Sequence, residues 1–411
     1  MGLLVELRKK DKKGLFVPTQ TSVSYSTGFL PLDYKNGFLL DVYDGEIIVD
    51  SYPSIGLVGG TFFTIVGKSA TAKTTVALQI IGNIVKKFGP DSFGIIYDLE
   101  QSLTYTRIKN LVPGIPMKEL RDKIILRQEK NYIEDIFASV NLIANEKENN
   151  KEQYMYDTGL KNEFNENIKA YVPTFILIDS IPTLSTNKVD SSTEMEGSTY
   201  SNRMAKELSQ FYKKLMPVIK TYNITVIAIN HIKLKMDINP MMKSQAQVMY
   251  LKQDESLPGG VAPIYYAHNI LKIVTTGKLL KEDVGFDGFS ARFEFIKSRT
   301  NKAGQFVNMI YDQMLGYDST LSLLSYCESK GLVEGRNPYR RFIGFEDVKF
   351  DSRKFREEVA SRKEVFMAMM EASLPVLSQE LSHVQEEETD YELSYEEMEK
   401  AAAPLVEKIL A

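Results

Sequence analysis

Residues 61–85, TFFTIVGKSATAKTTVALQIIGNIV, decide the fold of this chain. A β-branched and aromatic run is followed at once by a loop, and then by apolar residues at helical spacing. A loop between a strand and a helix, with this composition, presents backbone N–H groups and the helix N-terminus to the phosphates of a nucleotide. The predicted nucleotide contacts are Gly67, Lys68, Ser69, Ala70, Thr71, Ala72, Lys73, Thr74 and Thr75.

Two side chains of this loop have predicted chemical roles. Lys73 is placed to reach the β- and γ-phosphate oxygens, and the Thr74 hydroxyl is placed to bind Mg²⁺. One position departs from the G-x-x-x-x-G-K-[ST] pattern, because Ala72 replaces the second glycine. An alanine adds only a methyl group, so we expect weaker nucleotide binding and not its loss. A loop of this composition arising by chance is the alternative.

The composition favours a large globular protein without excluding DNA as a ligand. The 411 residues are 43% hydrophobic and 25% charged, with a net charge of -4, so any DNA contact must come from local surface. A single cysteine, Cys327, excludes an intramolecular disulfide framework, and three scattered histidines make a histidine metal site unexpected. No apolar run has the roughly 20 residues of a membrane span. We expect a cytoplasmic protein, bacterial or from a phage in its bacterial host.

Two predicted strands end in carboxylates. Residues 93–99 form an apolar run followed by Glu100, which could activate water against a γ-phosphate; Asp98 lies within the same run. Residues 174–180 read TFILIDS, in which four apolar residues lead to Asp179, and this is the pattern of a strand that holds the Mg²⁺ shell. Because the carboxyl ends of parallel strands meet at one edge of a sheet, both carboxylates are predicted to lie near the phosphate loop.

A third apolar strand, residues 224–229, ends in Asn230 and His231, where a polar side chain lies beside a γ-phosphate. The polar residues 233–263 follow as a long predicted loop, and loops of this length are usually functional or disordered.

Alternating strands and helices predict an α/β fold whose mostly parallel sheet is covered on both faces. Further strands are predicted at 123–127, 269–275, 292–297 and 306–311, helices at 133–148, 202–222 and 319–330, a hairpin at 34–54, and loop or short helix at 145–170.

The chain divides into three predicted parts: an N-terminal arm (1–21), a core (22–345) and a helical C-terminal region (346–411). Residues 1–13 are basic and amphipathic, either as a solvated tail or as an arm that packs on a neighbouring subunit. Residues 380–399 carry nine carboxylates and neither Lys nor Arg. This segment is interpreted as a solvated acidic tail, with a regulatory role as the alternative.

Several ordered motifs together resemble the RecA family of DNA recombinases, and its phage UvsX branch in particular. The resemblance covers about residues 25–335, roughly three quarters of the chain. It implies a RecA-like P-loop ATPase core that uses ATP and Mg²⁺. The motifs are STGFLPLD, GKSATAKTT, IIYDLEQSLT, FILIDSIPTL, EMEGSTYSNRMAKELSQFYKKL, TVIAINHI, the double glycine before IYYAHNILKI, and IKSRTNKAGQF.

The resemblance also implies roles for individual residues. Glu100 matches the catalytic glutamate, Asp179 the Mg²⁺-associated aspartate, and His231 the sensor of the γ-phosphate. Lys297 and Arg299 match a basic pair that reaches a neighbouring subunit's phosphates across a filament interface. The adenine-stacking residue has two candidates, Tyr105 and Arg107. The implied DNA contacts are Glu194, Met195, Glu196, Gly197, Ser198 and Thr199 in a first loop, and Lys233, Lys235, Lys243, Lys252, Gly259 and Gly260 in a second.

The function implied by the resemblance is ATP-dependent strand exchange. Such a protein forms helical filaments on single-stranded DNA, hydrolyses ATP in a DNA-dependent manner and pairs its strand with a homologous duplex. Single-strand-binding and mediator proteins are its possible partners. Two alternatives remain: a hexameric replicative helicase of the DnaB type, and a non-catalytic nucleotide-gated scaffold or mediator that binds DNA. The few residues before the phosphate loop argue against the helicase, and Ala72 is the best support for the scaffold.

Overall fold

The computed structural model describes residues 21–187, 198–234, 246–336 and 338–381. The described strands are β1 (Ser24–Tyr25), β2 (Phe38–Asp44), β3 (Ile47–Ser54), β4 (Leu57–Val58), β5 (Phe62–Gly67), β6 (Gly94–Asp98), β7 (Ile124–Arg127), β8 (Met155–Lys161), β9 (Asn167–Tyr171), β10 (Thr174–Asp179), β11 (Ile224–His231), β12 (Lys233–Leu234), β13 (Glu255–Ser256), β14 (Asn269–Leu279), β15 (Gly288–Lys297), β16 (Phe306–Asp312), β17 (Gly316–Asp318), β18 (Val333–Arg336), β19 (Tyr339–Phe342) and β20 (Lys349–Asp351).

The described helices lie between and after these strands. They are α1 (Leu30–Lys35), α2 (Lys73–Val85), α3 (Tyr105–Leu111), α4 (Met117–Lys123), α5 (Ile133–Asn149), α6 (Lys151–Tyr154), α7 (Ser198–Thr221), α8 (Ala262–Tyr266), α9 (Lys281–Val284), α10 (Ser319–Ser329), α11 (Phe355–Ser361) and α12 (Lys363–Ser378), with 3-10 turns at Ile181–Thr183 and Ser352–Lys354. No helix among them is long and apolar enough to span a membrane.

A nine-stranded sheet forms the centre of the molecule, in the order β17-β16-β15-β14-β5-β11-β10-β6-β7. Neighbouring strands are parallel from β14 through β5, β11, β10 and β6 to β7. Strands β15, β16 and β17 extend the sheet in antiparallel fashion. The predicted α/β fold with a mostly parallel central sheet is confirmed.

Alternate residues of the central strands face two hydrophobic clusters, one on each side of the sheet. In β5, Phe63 and Ile65 belong to the first cluster, whereas Phe62 and Val66 belong to the second. Helices α2, α10 and α12 contribute to the first cluster, and α5 and α7 contribute to the second. Strands buried on both faces therefore read as continuous apolar runs, which is why they are visible in the sequence.

Residues 145–170 differ from the sequence-based expectation of loop or short helix. They contain the end of α5, the short helix α6 and most of an antiparallel hairpin, β8–β9. Most of the hairpin's side chains are polar and solvent-facing, and only Ile168 and Tyr171 are buried. A ribbon that buries so few apolar residues has no clear period-2 pattern. The hairpin predicted within 34–54 is confirmed by the pairing of β2 with β3.

The C-terminal region is continuous with the rest of the protein. A small antiparallel sheet, β18-β19-β20, spans residues 333–351, so the predicted domain boundary after residue 345 falls between its second and third strands. Phe342 and Phe350 of this sheet are buried in the same cluster as helix α2. The three-part division stays a prediction. Residues 1–20 and 382–411, which include most of the predicted arm and acidic tail, lie outside the described residues.

Candidate nucleotide site

The carboxyl ends of four neighbouring strands bring the predicted site residues to one edge of the sheet. Asp179 at the end of β10 pairs with Asp98 at the end of β6. His231 at the end of β11 pairs with Gly67, the first residue of the predicted phosphate loop, residues 67–75, which is called the phosphate loop below. Glu100 follows β6 by two residues. The parallel register thus places these side chains around the loop, as expected for strand ends of a parallel sheet.

The phosphate loop has a defined backbone and an internal lysine contact. Ala70 and Ala72 adopt positive φ angles of 61° and 54°, in the left-handed region that favours glycine. Nζ of Lys73 donates a hydrogen bond of 2.7 Å to the Lys68 carbonyl, and burial lowers the pKa of Lys73. The Tyr317 hydroxyl donates to the Thr71 carbonyl over 3.0 Å, which attaches strand β17 to the loop.

Thr74 and Asp179 form the part of the site that could hold Mg²⁺. The Thr74 hydroxyl donates to Oδ2 of Asp179 over 2.6 Å, and Asp179 is buried. Burial is the main cause that raises the pKa of Asp179 to about 6, and the Glu100 and Asp98 carboxylates add to it. Oδ1 of Asp98 is buried without a hydrogen-bond partner among the described residues. These oxygens fit a Mg²⁺ ion, which takes one or two carboxylates plus water and phosphate oxygens.

Glu100 is held beside the loop by two polar side chains. The Ser180 hydroxyl donates to Oε1 of Glu100 over 2.9 Å, and Nε2 of His231 lies 3.3 Å from the same oxygen. The Glu100 side chain is 41% exposed, so its carboxylate is accessible to water. Such a carboxylate is suited to accepting a proton from an attacking water.

The two candidates for adenine stacking lie in different surroundings. The Tyr105 hydroxyl donates to the Ile124 carbonyl and accepts from the Leu126 N–H, which turns this ring towards strand β7. Nη1 of Arg107 donates to the Met314 carbonyl over 3.2 Å. Residue 314 lies in the turn before β17, the strand that contacts the phosphate loop. Of the two, Arg107 is therefore directed towards the phosphate-loop side.

Lys297 and Arg299 lie at the opposite ends of the sheet's strands from the phosphate loop. Nζ of Lys297 donates to the Ile264 and Tyr265 carbonyls, and Arg299 also donates to Tyr265. Those carbonyls belong to α8, which precedes β14 and thus lies at the amino end of the parallel strands. Burial, followed by the Arg299 charge, lowers the pKa of Lys297 to about 8. The structure does not bring this pair together with the phosphate loop of the same chain.

The predicted DNA loops are described in part. Glu194, Met195, Glu196, Gly197, Lys235 and Lys243 lie outside the described residues. The backbone of Ser198 and Thr199 begins helix α7, so the first loop is shorter than predicted at its end. Lys233 lies in β12 and is exposed, and Lys252 is exposed before β13. Gly259 and Gly260 have φ angles of 95° and 77°, and Gly259 packs beside Ile181 and Pro263.

A buried ion pair next to the site was not predicted from the sequence. Nζ of Lys272 in β14 lies 2.5 Å from Oε2 of Glu255 in β13, and the two side chains are 5% and 7% exposed. Lys272 pairs with Val66, one residue before the phosphate loop. The sequence does contain one indication of this pair, which is the lysine inside the apolar run NILKIV. A lysine in a buried strand needs an anionic partner, because an unpaired buried ammonium group is costly.

The comparisons with known proteins indicate a RecA-like relationship. The chain is 27% identical to "Protein RecA" of a Nitratiruptor species over 264 residues, which are 64% of this chain. The match spans 62% of the length of that relative. No family model matches the chain. A match at this identity and coverage supports a RecA-like relationship, and the activity is a proposal.

Proposed function

We propose that this protein is an ATP-dependent DNA strand-exchange protein that assembles as a helical filament on single-stranded DNA. The observation that carries the proposal is the convergence of Lys73, Thr74, Asp179, Glu100 and His231 at one edge of the sheet. The RecA similarity and the mostly parallel sheet support the same assignment. The proposal includes a cytoplasmic location for the protein. It also includes homologous duplex DNA as a second DNA partner, and mediator or single-strand-binding proteins as protein partners.

Hydrolysis would use the chain's own residues in distinct roles. Backbone N–H groups of residues 67–75 and the Lys73 ammonium bind the phosphates, while Thr74 and Asp179 would hold Mg²⁺. Mg²⁺ would neutralise charge on the phosphate oxygens. Glu100 accepts the proton of the attacking water, and the Ser180 hydroxyl fixes the orientation of that carboxylate.

The nucleotide and DNA sites would be coupled through the end of β11. His231 contacts Glu100, and the next residue, Ile232, donates its N–H to the Gly67 carbonyl over 3.1 Å. Strand β12 follows directly and pairs with β13, so the part of the predicted second DNA loop between these two strands starts and ends on the side of the phosphate loop. ATP binding should then raise DNA affinity, and DNA should raise ATP affinity to the same extent, because coupling between two binding sites is reciprocal.

A neighbouring subunit would complete the site with Lys297 and Arg299. Phe62 and Gly67, at the two ends of β5, are roughly 16 Å apart at 3.3 Å per residue. The basic pair is on the Phe62 side, where it is held by α8. In a head-to-tail filament, the pair of one chain can face the phosphate loop of the next and stabilise charge on the γ-phosphate.

The decisive experiment measures ATP hydrolysis with and without single-stranded DNA, at roughly 50 and 200 mM salt. We expect strong stimulation that decreases with salt.

The Glu100→Gln variant should lose hydrolysis and keep or tighten DNA binding, since only the proton acceptor is removed. A negligible rate despite measurable ATP binding would support a scaffold instead. Electron microscopy with DNA and ATP separates a helical filament from the closed ring expected of a helicase.

A further inference from the structure

Two alanines of the phosphate loop adopt a backbone conformation that suits glycine. Ala70 and Ala72 have φ angles of 61° and 54°, on either side of Thr71. An L-residue in this left-handed region is strained, because its Cβ atom approaches the following carbonyl oxygen. Such a conformation persists only where surrounding groups hold it in place. The loop therefore needs a restraint close to these residues.

The Tyr317 hydroxyl provides a restraint of this kind from the neighbouring strand β17. It donates a hydrogen bond of 3.0 Å to the Thr71 carbonyl. This carbonyl and the Ala72 N–H belong to one planar, trans peptide group, so the two point in opposite directions. A contact that fixes the carbonyl therefore also fixes the direction in which the Ala72 N–H can donate to a phosphate.

Tyr317 is itself held in place by helix α2, which begins at the loop. Its N–H donates to Oε1 of Gln79 over 2.9 Å, and its carbonyl accepts from Nε2 of the same side chain over 2.9 Å. The ring packs edge-on against Phe293 and Tyr311, at 4.9 and 5.1 Å between ring centroids. Tyr317 is only 3% exposed. Its hydroxyl thus has a defined position relative to the first turn of α2.

The other side-chain contacts of the loop restrain a different part of it. The Thr71 hydroxyl and the Lys73 ammonium both donate to the Lys68 carbonyl, over 2.9 and 2.7 Å. Because the proposed function assigns the Lys73 ammonium to the phosphates, its bond to Lys68 has to be given up when ATP binds. The Tyr317 hydroxyl comes from outside the loop, so its hydrogen bond can persist with ATP bound.

We propose that Tyr317 is a positioning residue of the nucleotide site, which keeps the alanine-containing phosphate loop in its phosphate-binding conformation. This role rests on the proposed function, because it presupposes that residues 67–75 bind ATP. The dissociation constant of a ligand rises as the competent conformation becomes less populated. Loss of the hydroxyl therefore weakens ATP binding. It leaves hydrolysis of bound ATP unchanged, since Tyr317 contacts the loop backbone and none of the groups that react.

The Tyr317→Phe variant of the full-length protein tests this role, because it removes only the hydroxyl. Titration with a fluorescent ATP analogue and Mg²⁺ should show a dissociation constant about fivefold higher, as expected for one lost hydrogen bond. KM for ATP should rise by a similar factor, while kcat at saturating ATP and single-stranded DNA stays within about twofold. Tyr326→Phe is the matched control and should change neither. Tyr326 is also 3% exposed, and its hydroxyl donates to Glu380.

A substitution at position 72 separates positioning from a general loss of stability. Glycine adopts the left-handed conformation without strain, so a loop with Ala72→Gly depends less on the tyrosine hydroxyl. In this background, Tyr317→Phe should raise the dissociation constant by less than about twofold. An equal rise in the original and the Ala72→Gly backgrounds would overturn the proposal, because the hydroxyl would then not offset the strain at Ala72.

The remaining outcomes distinguish this role from the proposed function. Equal ATP affinity of the original protein and Tyr317→Phe, with measurable binding by both, would overturn the positioning role alone. A lower kcat with unchanged KM would do the same, because it would place Tyr317 in the chemical step. Absence of ATP binding by the original protein would overturn the proposed function and the positioning role with it.

Discussion

Thr74 and Asp179 are 105 residues apart in the sequence, and the Thr74 hydroxyl donates a hydrogen bond of 2.6 Å to the Asp179 carboxylate. This contact joins the first turn of α2 to the end of β10. The aspartate is almost completely buried, at 2% exposure, among other carboxylates. A metal-free protein therefore retains an anion in an unfavourable environment, and this has a measurable effect on stability.

Without Mg²⁺, Asp179→Asn should be stabilising at neutral pH relative to the original protein. The folded pKa of about 6 lies above the ordinary value of 3.8, so the folded state binds the proton more tightly. The stability of the original protein thus falls as pH rises from about 4 through 6, by roughly 2–3 kcal/mol from this group. The variant lacks this loss. Urea unfolding with a chelator between pH 4 and 7 measures the difference in stability between the variant and the original protein. A difference that does not change with pH would contradict a raised pKa for Asp179.

The buried pair of Lys272 and Glu255 should show strong coupling in a double-mutant cycle. Lys272→Met leaves the Glu255 carboxylate buried without its ammonium partner, which should destabilise the protein by roughly 3–5 kcal/mol. Adding Glu255→Gln should recover part of that loss, so the two effects are not additive. Denaturant unfolding of the four proteins provides the cycle.

The matched control for this cycle is the more exposed pair of Arg341 and Glu334, with 37% and 44% exposure. Arg341→Met should change stability several-fold less than Lys272→Met, because solvent screens exposed pairs. Additive effects of Lys272→Met and Glu255→Gln would show that the two side chains do not stabilise each other. The substitutions of Lys272 and Glu255 should also change the affinity for DNA. Glu255 lies in β13, which pairs with β12 where the predicted second DNA loop begins.

The central strands could be predicted from the sequence because burial on both faces leaves an unbroken apolar run. Strands β10 and β11 were visible for that reason, and the polar residues at their ends located the candidate site. Hairpin β8–β9 could not be predicted, since one ribbon on the surface has no alternating apolar face. The pairing of Lys272 with Glu255 joins side chains of two different strands, 17 residues apart in the sequence, and local patterns carry no information on such contacts.

Backbone conformation was also beyond the sequence pattern. The alanine at position 72 was identified as a departure from the glycine of the motif, and the expected effect was on nucleotide affinity. The φ angle of 54° adds a physical reason, because an L-residue with a Cβ atom is strained in the left-handed region. The departure is therefore a matter of backbone strain in addition to side-chain volume.

Ala72→Gly should stabilise the protein by about 1 kcal/mol. Relief of the left-handed strain gives roughly 1–2 kcal/mol, and the greater freedom of glycine in the unfolded chain offsets about half of it. Ala77→Gly, in the interior of α2, is the control and should destabilise by about 1 kcal/mol or more. Thermal and urea unfolding of both variants decide the point, and equal destabilisation by the two substitutions would refute the strain argument.

Mixing two inactive variants should restore ATP hydrolysis if neighbouring subunits share a site. Lys73→Ala removes the phosphate-loop lysine, and Lys297→Ala with Arg299→Ala removes the basic pair at the opposite edge. In an equal mixture, about one interface in four joins an intact loop to an intact pair, so about a quarter of the DNA-dependent rate should return. Mixing Lys73→Ala with Glu100→Gln is the control, because both changes affect the same edge and no interface regains a complete site. Failure of the first mixture to exceed the second would mean that Lys297 and Arg299 do not act on the neighbouring chain.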